Sequence, residues 1–213
     1  FLELSTFCRQ AHILYDLKGI TVMRKLLAIW LGKILTIVGK TVGKKSSSSP
    51  GAYALKICPD LVKGLEKCVS KGIIVTCGTN GKTTTNNLMA SALEAKGYKV
   101  ICNKLGANML SGIATTVLQE MSIFGKLKAD YACLEIDEAY TPIVFDYVKP
   151  DVMVITNLFR DQLDRYGEID ITSDIIKRAI KKVPNLKLVL NGDDPLCVQF
   201  GREENVKAYY YGI

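Results

Sequence analysis

The sequence predicts an α/β domain with a mostly parallel β-sheet that is covered by helices on both faces. From residue 72 onward, short apolar runs alternate with stretches of helical spacing, and strands that are apolar throughout are typical of parallel sheets. The chain of 213 residues with 48% hydrophobic residues is also long enough to bury one substantial core. We therefore expect one α/β domain preceded by an N-terminal appendage.

The predicted elements alternate along the second part of the chain. Strands are predicted at 73–77, 98–102, 129–136, 151–157, 186–191 and 206–211. Helices are predicted at 84–96, 111–121, 138–148 and 173–182, with Gly97, Pro150 and Pro184 as terminating residues. Ligands of such sheets bind at the carboxyl ends of the strands, so polar residues that end different strands should converge there.

The N-terminal part of the chain differs from the rest in charge. Residues 1–22 carry no motif, and we interpret them as a non-native or upstream extension of the reading frame. Residues 23–71 hold ten basic and two acidic residues, and 26–38 have the spacing of an amphipathic helix. The run 44–51, Lys-Lys-Ser-Ser-Ser-Ser-Pro-Gly, is predicted to end that helix and to form a flexible or turn segment. Residues 72–213 then form the α/β domain.

Charge and cysteine usage limit the classes of partner. The net charge of +7 belongs to residues 23–71, which lack the interleaved aromatic residues of a base-stacking platform, so we expect no nucleic-acid partner. The seven cysteines form no C-x-x-C pair, and the one histidine is His12. This usage indicates reduced, buried thiols in a cytoplasmic protein and makes histidine chemistry or a cysteine metal site unexpected.

A glycine-rich loop follows the first strand. Residues 76–85 read Thr-Cys-Gly-Thr-Asn-Gly-Lys-Thr-Thr-Thr, and a tight turn with a lysine before a helix is suited to hold the phosphates of ATP. Lys82 would supply positive charge, and the Thr83 hydroxyl would bind Mg²⁺. The nucleotide contacts are assigned to Gly78, Thr79, Asn80, Gly81, Lys82, Thr83 and Thr84. Thr76 stands where the common form of this loop has its first glycine, and the compact G-T-N-G-K-T resembles the loop of the Mur ligase and folylpolyglutamate synthase superfamily.

Three acidic residues lie at the end of the strand at 129–136 or directly after it. Glu135 ends the run Tyr-Ala-Cys-Leu-Glu beside the predicted loop, where a carboxylate is suited to hold Mg²⁺ or its water. Glu138 and Asp137 are weaker metal candidates. Asp137 fits better as the cap of the next helix.

The segment 154–167 makes the resemblance more specific. Mur ligases carry N-x-x-x-D-H-x-D-R-Y here, and this chain has Asn157 and an acidic run in which Gln162 replaces the histidine. The resemblance assigns Asn157 to the nucleotide and leaves Gln162 as a weak Mg²⁺ ligand. The family's carbamylated lysine has no clear counterpart, because Lys177 is expected on a solvated helix face. Residues 191–195, Asn-Gly-Asp-Asp-Pro, either shape the nucleotide pocket or cap a helix.

The runs at 106–116, 134–139 and 160–168 resemble the MurT branch of the family, the ligase-like subunit of lipid II isoglutaminyl synthases. That resemblance implies ATP-dependent amidation of the D-glutamate α-carboxyl of lipid II to D-isoglutamine, through an acyl phosphate and with ammonia from a glutaminase subunit of the GatD type. It also implies a zinc ribbon and a domain with a catalytic aspartate downstream of residue 213. We therefore expect this chain to be an incomplete central domain that is inactive alone, and we assign no catalytic residue within it.

Two other functions remain open. The first is an amino-acid-adding Mur ligase or folylpolyglutamate synthase, and the second is a non-catalytic nucleotide-binding or docking module. The resemblance implies a cytoplasmic protein that works at the inner face of the cell membrane. We expect residues 23–45 either to recruit it there or to pack as an ordinary helix on the core.

Overall fold

The computed structural model describes residues 2–41, 48–104, 107–158, 168–202 and 206–213, with the backbone alone at 2–18, 20, 40 and 168–170. The helices of the described ranges are α1 Leu2–Thr41, α2 Ser49–Ile57, α3 Lys82–Ala95, α4 Leu110–Glu120, α5 Thr141–Tyr147, α6 Glu168–Lys181 and α7 Pro195–Phe200. The strands are β1 Val69–Cys77, β2 Val100–Cys102, β3 Ala129–Glu135, β4 Val152–Ile155, β5 Lys187–Asn191 and β6 Lys207–Tyr211. Two short 3₁₀ turns lie at Leu65–Lys67 and Glu138–Tyr140.

The strands form one parallel sheet in the order β2-β3-β1-β4-β5-β6. Strand β1 is central, and its apolar side chains Ile73 and Val75 are fully buried. Buried side chains from β3, β4, α4 and α5 continue the same core. The parallel pairing of all six strands confirms the predicted α/β class with a mostly parallel sheet. Apolar strands of this kind are stable only when helices cover both faces of the sheet.

Several predicted elements are shorter than expected, among them the strand predicted at 151–157, which is β4 Val152–Ile155. The strand predicted at 98–102 begins at Val100, since the Lys99 amide donates to the Asp130 carboxylate at 2.9 Å and leaves the ladder. The helix predicted at 138–148 is divided into the 3₁₀ turn and α5, because Pro142 lies in the first turn of α5. In front of this turn, the Asp137 side chain accepts from the Ala139 amide, so the predicted cap is confirmed.

The prediction of a turn through residues 44–51 was wrong at its end, because helix α2 begins at Ser49. Pro50 occupies the first turn of the helix, where proline is tolerated. Gly51 lies so close to α4 that a Cβ atom would come within 2.0 Å of the Ser111 carbonyl oxygen. The Gly51 amide also donates to Thr115 Oγ1 at 2.9 Å. This glycine therefore allows α2 and α4 to pack closely. In the sequence alone, a glycine after a proline looks the same as a turn signal.

Helix α1 packs on the α/β domain through α2 and α4. Ala28 and Ile29 are fully buried, and a Cβ atom on Gly32 would lie 2.6 Å from Leu118 Cδ1. The Arg24 guanidinium donates to the Ile57 carbonyl at 3.0 and 3.2 Å. The helix runs through residue 23 without a break, so the division of the chain at residues 22 and 71 remains a prediction. None of the described helices is long and apolar enough to cross a membrane.

Candidate functional site

The turn that joins β1 to α3 has backbone angles that favour glycine at two positions. Gly78 has φ 123°, and a Cβ atom there would lie 2.3 Å from Thr156 Oγ1. Gly81 has φ 80° and precedes α3 without a side-chain cap. The first turn of α3 therefore presents amide groups without a capping side chain, and such groups together with the helix dipole favour an anion.

Residues at the end of β4 hold this turn in place. The Thr79 amide donates to the Asn157 carbonyl oxygen at 2.8 Å. The Asn157 side chain accepts from the Asn80 amide at 2.9 Å and donates to the Asn80 carbonyl oxygen at 3.0 Å. Thr156 Oγ1 donates to the same carbonyl oxygen at 2.7 Å. Asn157 therefore lies at the loop as predicted, but its amide braces the backbone, and a direct contact with a nucleotide remains a prediction.

Lys82 points back over the turn. Its ammonium group donates to the carbonyl oxygens of Gly78 and Thr79 at 2.5 and 3.2 Å, and it lies 3.1 Å from Glu138 Oε1. The Lys82 and Glu138 side chains are each 14% exposed. Because water is largely excluded, this ion pair is stronger than a surface pair and also costs more to break. The sequence indicated Glu138 as a weak metal candidate, and the structure shows it as the partner of the loop lysine.

Glu135 brings a buried carboxylate to the same edge of the sheet. It pairs with Thr76 across β3 and β1, is 3% exposed, and its Oε2 has no hydrogen-bond partner among the described residues. The Asn103 side chain holds the Glu135 backbone on both sides, accepting from its amide and donating to its carbonyl oxygen, each at 2.8 Å. A buried carboxylate oxygen without a donor is costly unless a cation binds it. The residues present therefore fit Mg²⁺, which prefers such oxygens.

The remaining predicted site residues lie around this centre or outside the described residues. Thr83 and Thr84 are exposed at the first turn of α3. Gln162 lies outside the described residues. The described part of the chain holds no cluster of three or more histidine, cysteine, aspartate or glutamate side chains that could bind a metal ion. Lys177 is half-buried on α6 instead of fully solvated.

Asp194 resolves the two roles left open for residues 191–195. Its carboxylate accepts from the Leu196 amide at 2.9 Å and caps α7, a helix that the sequence did not predict. It also accepts from the Leu158 amide at 2.8 Å. Asn191 donates to the Thr156 carbonyl oxygen at 3.0 Å. The motif therefore caps a helix and also ties β5 to the residues that brace the loop.

Sequence reasoning missed Asn86, Asn103 and Thr156. Asn86 is buried on α3 and donates weakly to the Asn103 side chain at 3.4 Å, while its Oδ1 has no partner among the described residues. An asparagine on the apolar side of a helix was the available signal for Asn86, and a polar residue directly after a strand was the signal for Asn103 and Thr156.

The cysteines whose side chains the structure describes are free thiols that pack in or beside the core. Four of these six thiols are buried. Burial raises the pKa of the Cys102 thiol to about 11 and that of the Cys133 thiol to about 12. Burial, together with the neighbouring Glu138, also raises the pKa of Cys77. These thiols therefore stay protonated at neutral pH and are poor nucleophiles or metal ligands.

The fold and this site together define an α/β domain with a glycine-rich turn at the carboxyl end of its central strand. Residues 75–213 match the Mur ligase middle domain family. The chain belongs to the Mur ligase family, and this match covers the loop and all of the sheet except the first part of β1, Val69–Ile74.

Curated relatives include two ligase-like subunits. The chain is 39% identical over 188 residues to the lipid II isoglutaminyl synthase (glutamine-hydrolyzing) subunit MurT of Staphylococcus aureus strain COL, covering 88% of this chain and 42% of that protein. It is 42% identical over 174 residues to the subunit of the same name from Streptococcus pneumoniae, covering 82% of this chain and 38% of that protein. The chain thus spans less than half the length of these relatives.

Solved structures show the same fold at lower identity. MurF ligase from Thermotoga maritima in complex with ADP superposes with a TM-score of 0.59 at 20% identity, covering 75% of this chain and 36% of that chain. MurF from Acinetobacter baumannii superposes with the same TM-score of 0.59 at 16% identity, covering 75% of this chain and 34% of that chain. At this identity the likeness supports the fold alone.

Proposed function

We propose that this chain is the nucleotide-binding part of an ATP-dependent amidoligase that converts the α-carboxyl of D-glutamate in lipid II to the amide of D-isoglutamine. The observation that supports this most directly is that three features lie together at the carboxyl ends of neighbouring strands. These are the braced glycine turn, the Lys82 ammonium at 2.5 Å from the Gly78 carbonyl oxygen, and the unpaired, buried Glu135 oxygen. A phosphate group and a divalent cation have the charges that complement this set.

Each residue has a defined part in phosphoryl transfer. The turn amides and the start of α3 would hold the phosphates, and Lys82 would leave Glu138 to neutralise charge on the transferring group. Thr83 and Glu135 would hold Mg²⁺, which when bound offsets the negative charge of the phosphates. Gln162 would contribute at most a weak second metal contact, because an amide oxygen is a poorer ligand than the imidazole of other Mur ligases.

The balanced reaction has two steps. A carboxylate oxygen of the substrate attacks the γ-phosphorus of ATP, and the bond from that phosphorus to the bridging oxygen breaks, giving an acyl phosphate and ADP. Ammonia then attacks the acyl carbon, phosphate leaves, and the nitrogen loses a proton to give the amide. In-line transfer of this kind depends mainly on positioning and charge neutralisation, which are what the described residues offer.

The substrate and the partner follow from the relatives' names. Both relatives are glutamine-hydrolyzing lipid II isoglutaminyl synthase subunits, so a glutaminase subunit of the GatD type would supply ammonia and lipid II would be the acceptor. Such an enzyme would work in the cytoplasm at the inner face of the membrane. The catalytic aspartate and the zinc ribbon expected for the branch would belong to parts of the relatives that this chain does not span.

Calorimetry of the chain with ATP and Mg²⁺ tests the nucleotide site. We expect saturable binding with one nucleotide per chain that requires Mg²⁺ and competes with ADP. Absence of binding by a chain that shows cooperative thermal unfolding would contradict the proposed site.

A second candidate is an amino-acid-adding ligase. Sequence identity of 30% over 207 residues with a UDP-N-acetylmuramate–L-alanine ligase of Rhizobium johnstonii favours it. A protein that spans the full length of the relatives would distinguish the two, given ATP and either lipid II with ¹⁵N-amide glutamine and the glutaminase subunit, or UDP-N-acetylmuramate with ¹⁵N-labelled L-alanine. Mass spectrometry should show an amidated acceptor in the first mixture only, and this amide should be heavier than the same amide made from unlabelled glutamine. Labelled alanine in the product would favour the alternative.

A further inference from the structure

The outer face of α1 carries a row of exposed apolar side chains. Opposite the face that buries Ala28 and Ile29, the side chains at positions 23, 27, 30, 34 and 37 repeat with alternating spacings of four and three residues. They are 47–62% exposed: Met23 60%, Leu27 48%, Trp30 47%, Ile34 57% and Ile37 62%. This spacing keeps them on one side of the helix, and we call them the α1 apolar stripe.

A neighbouring loop extends the stripe. Residues 122–126 form a tight turn in which the Ser122 amide donates to the Lys126 carbonyl oxygen at 2.8 Å. The Trp30 indole N–H donates to the Ile123 carbonyl oxygen at 2.9 Å, which fixes the loop against the stripe. Ile123 and Phe124 are 56% and 73% exposed. Exposed apolar side chains from two separate segments therefore form one surface, and a continuous apolar surface of this kind indicates an interaction site.

The two sequence segments that carry this surface are rich in basic residues. Residues 23–59 contain seven lysine or arginine residues and no aspartate or glutamate, and residues 121–129 contain two lysines and again no acidic residue. Lys126 and Lys128 are exposed, and Lys33 is half-buried beside the stripe. Glu120, which precedes the loop, is exposed as well, but an apolar surface with an excess of cations nearby complements an anionic, amphipathic partner.

We propose that the α1 apolar stripe, together with Ile123 and Phe124, binds the surface of an anionic lipid bilayer, with α1 lying in the plane of the interface. A second copy of the chain is a poorer occupant, because pairing two such faces would bring their basic borders together. Trp30 suits the interface, since its N–H is already bonded while its ring is 47% exposed. This inference rests on the surface alone and does not depend on the proposed function.

Trp30 is the one tryptophan of the chain, so its fluorescence reports directly on this surface. Sedimentation with vesicles of phosphatidylcholine and phosphatidylglycerol at 7:3 should recover the chain. The Trp30 emission should shift to shorter wavelength and be quenched by lipids brominated on the acyl chains. Vesicles of phosphatidylcholine alone should bind much less, and added salt should weaken binding to the anionic vesicles.

The variants separate the apolar and the electrostatic contributions. Ile34→Ser combined with Phe124→Ser should lower partitioning at least about tenfold, because two apolar side chains no longer enter the interface. Lys126→Gln should lower it about fivefold, and only with anionic vesicles. Leu88→Ser is the matched control, since Leu88 is 68% exposed on α3, away from the stripe. It should partition as the parent chain does.

Circular dichroism of each variant checks that the fold is retained. Mg²⁺–ATP binding is measured separately from vesicle binding, so failure of the proposed nucleotide site and failure of the proposed membrane surface give different results. Three outcomes would overturn the proposal. The first is equal recovery with anionic and neutral vesicles, and the second is equal loss of partitioning in Leu88→Ser. The third is a dimer in sedimentation velocity that Ile34→Ser dissociates, which would show that a second copy covers the stripe.

Discussion

Replacement of Lys82 by alanine should have two separable effects, because the structure gives this side chain two roles. The ammonium group is aimed over the phosphate turn, and it also neutralises Glu138 at 3.1 Å. Loss of a charge-assisted contact to phosphate costs about 1.5–3 kcal/mol, so affinity for Mg²⁺–ATP should fall roughly tenfold to hundredfold. Calorimetric titration measures this fall.

The second effect is on the free energy of unfolding without nucleotide. Lys82→Ala leaves the Glu138 carboxylate, which is 14% exposed, without its cation. Removal of one partner from a largely buried pair should cost about 2–3 kcal/mol, which corresponds to a lower Tm by roughly 4–12 °C. Lys182→Ala is the control, since Lys182 and Asp146 pair at 2.7 Å with side chains 36% and 56% exposed. A pair so exposed contributes less than about 1 kcal/mol.

A double variant separates the two roles. Lys82→Ala with Glu138→Gln no longer holds an unpaired charge, so thermal unfolding should recover at least half of the lost stability. The affinity for Mg²⁺–ATP should stay low, because the phosphate contact is still absent. Unchanged affinity in Lys82→Ala would refute the assignment of the turn. Equal stability losses in the single and double variants would refute the coupling between Lys82 and Glu138.

Three further predictions concern the metal and the turn. Glu135→Gln and Thr83→Ala should raise the Mg²⁺ concentration needed for half-maximal ATP binding, and a Mg²⁺ titration that does not shift would refute their metal role. Gln162→His should tighten a weak second Mg²⁺ requirement of a protein that spans the full length of the relatives; two equally tight sites in the parent would show that the glutamine is already an adequate ligand. Gly78→Ala should unfold at lower temperature and lose ATP binding, because a methyl group would lie 2.3 Å from a threonine hydroxyl. Gly81→Ala, with nothing within 4 Å of its added methyl group, should cost only about 1 kcal/mol for its left-handed backbone, and equal losses in the two variants would contradict this reading of the turn.

The sequence was sufficient to predict features that depend on residues close together in the chain. The strand, turn and helix around Lys82 follow each other directly, so their periodicity and residue types were sufficient. The pairing of Lys82 with Glu138 was not predictable, because it depends on the register of β1 beside β3 across 56 residues of chain. Gly51 was misread for the same reason, since its close partner Thr115 lies 64 residues away.

The central position of β1 has a consequence for how the site comes into existence. Its two neighbours, β3 and β4, deliver Glu135 and Asn157 to the turn from opposite sides, and Asn157 reaches Asn80 across 77 residues of chain. Contacts of such sequence separation form late and slowly during folding. The glycine-rich turn therefore has its bracing hydrogen bonds only once the sheet is nearly complete. A nucleotide that recognises it should select the folded chain, adding about 2.7 kcal/mol to its stability at a hundred times the dissociation constant.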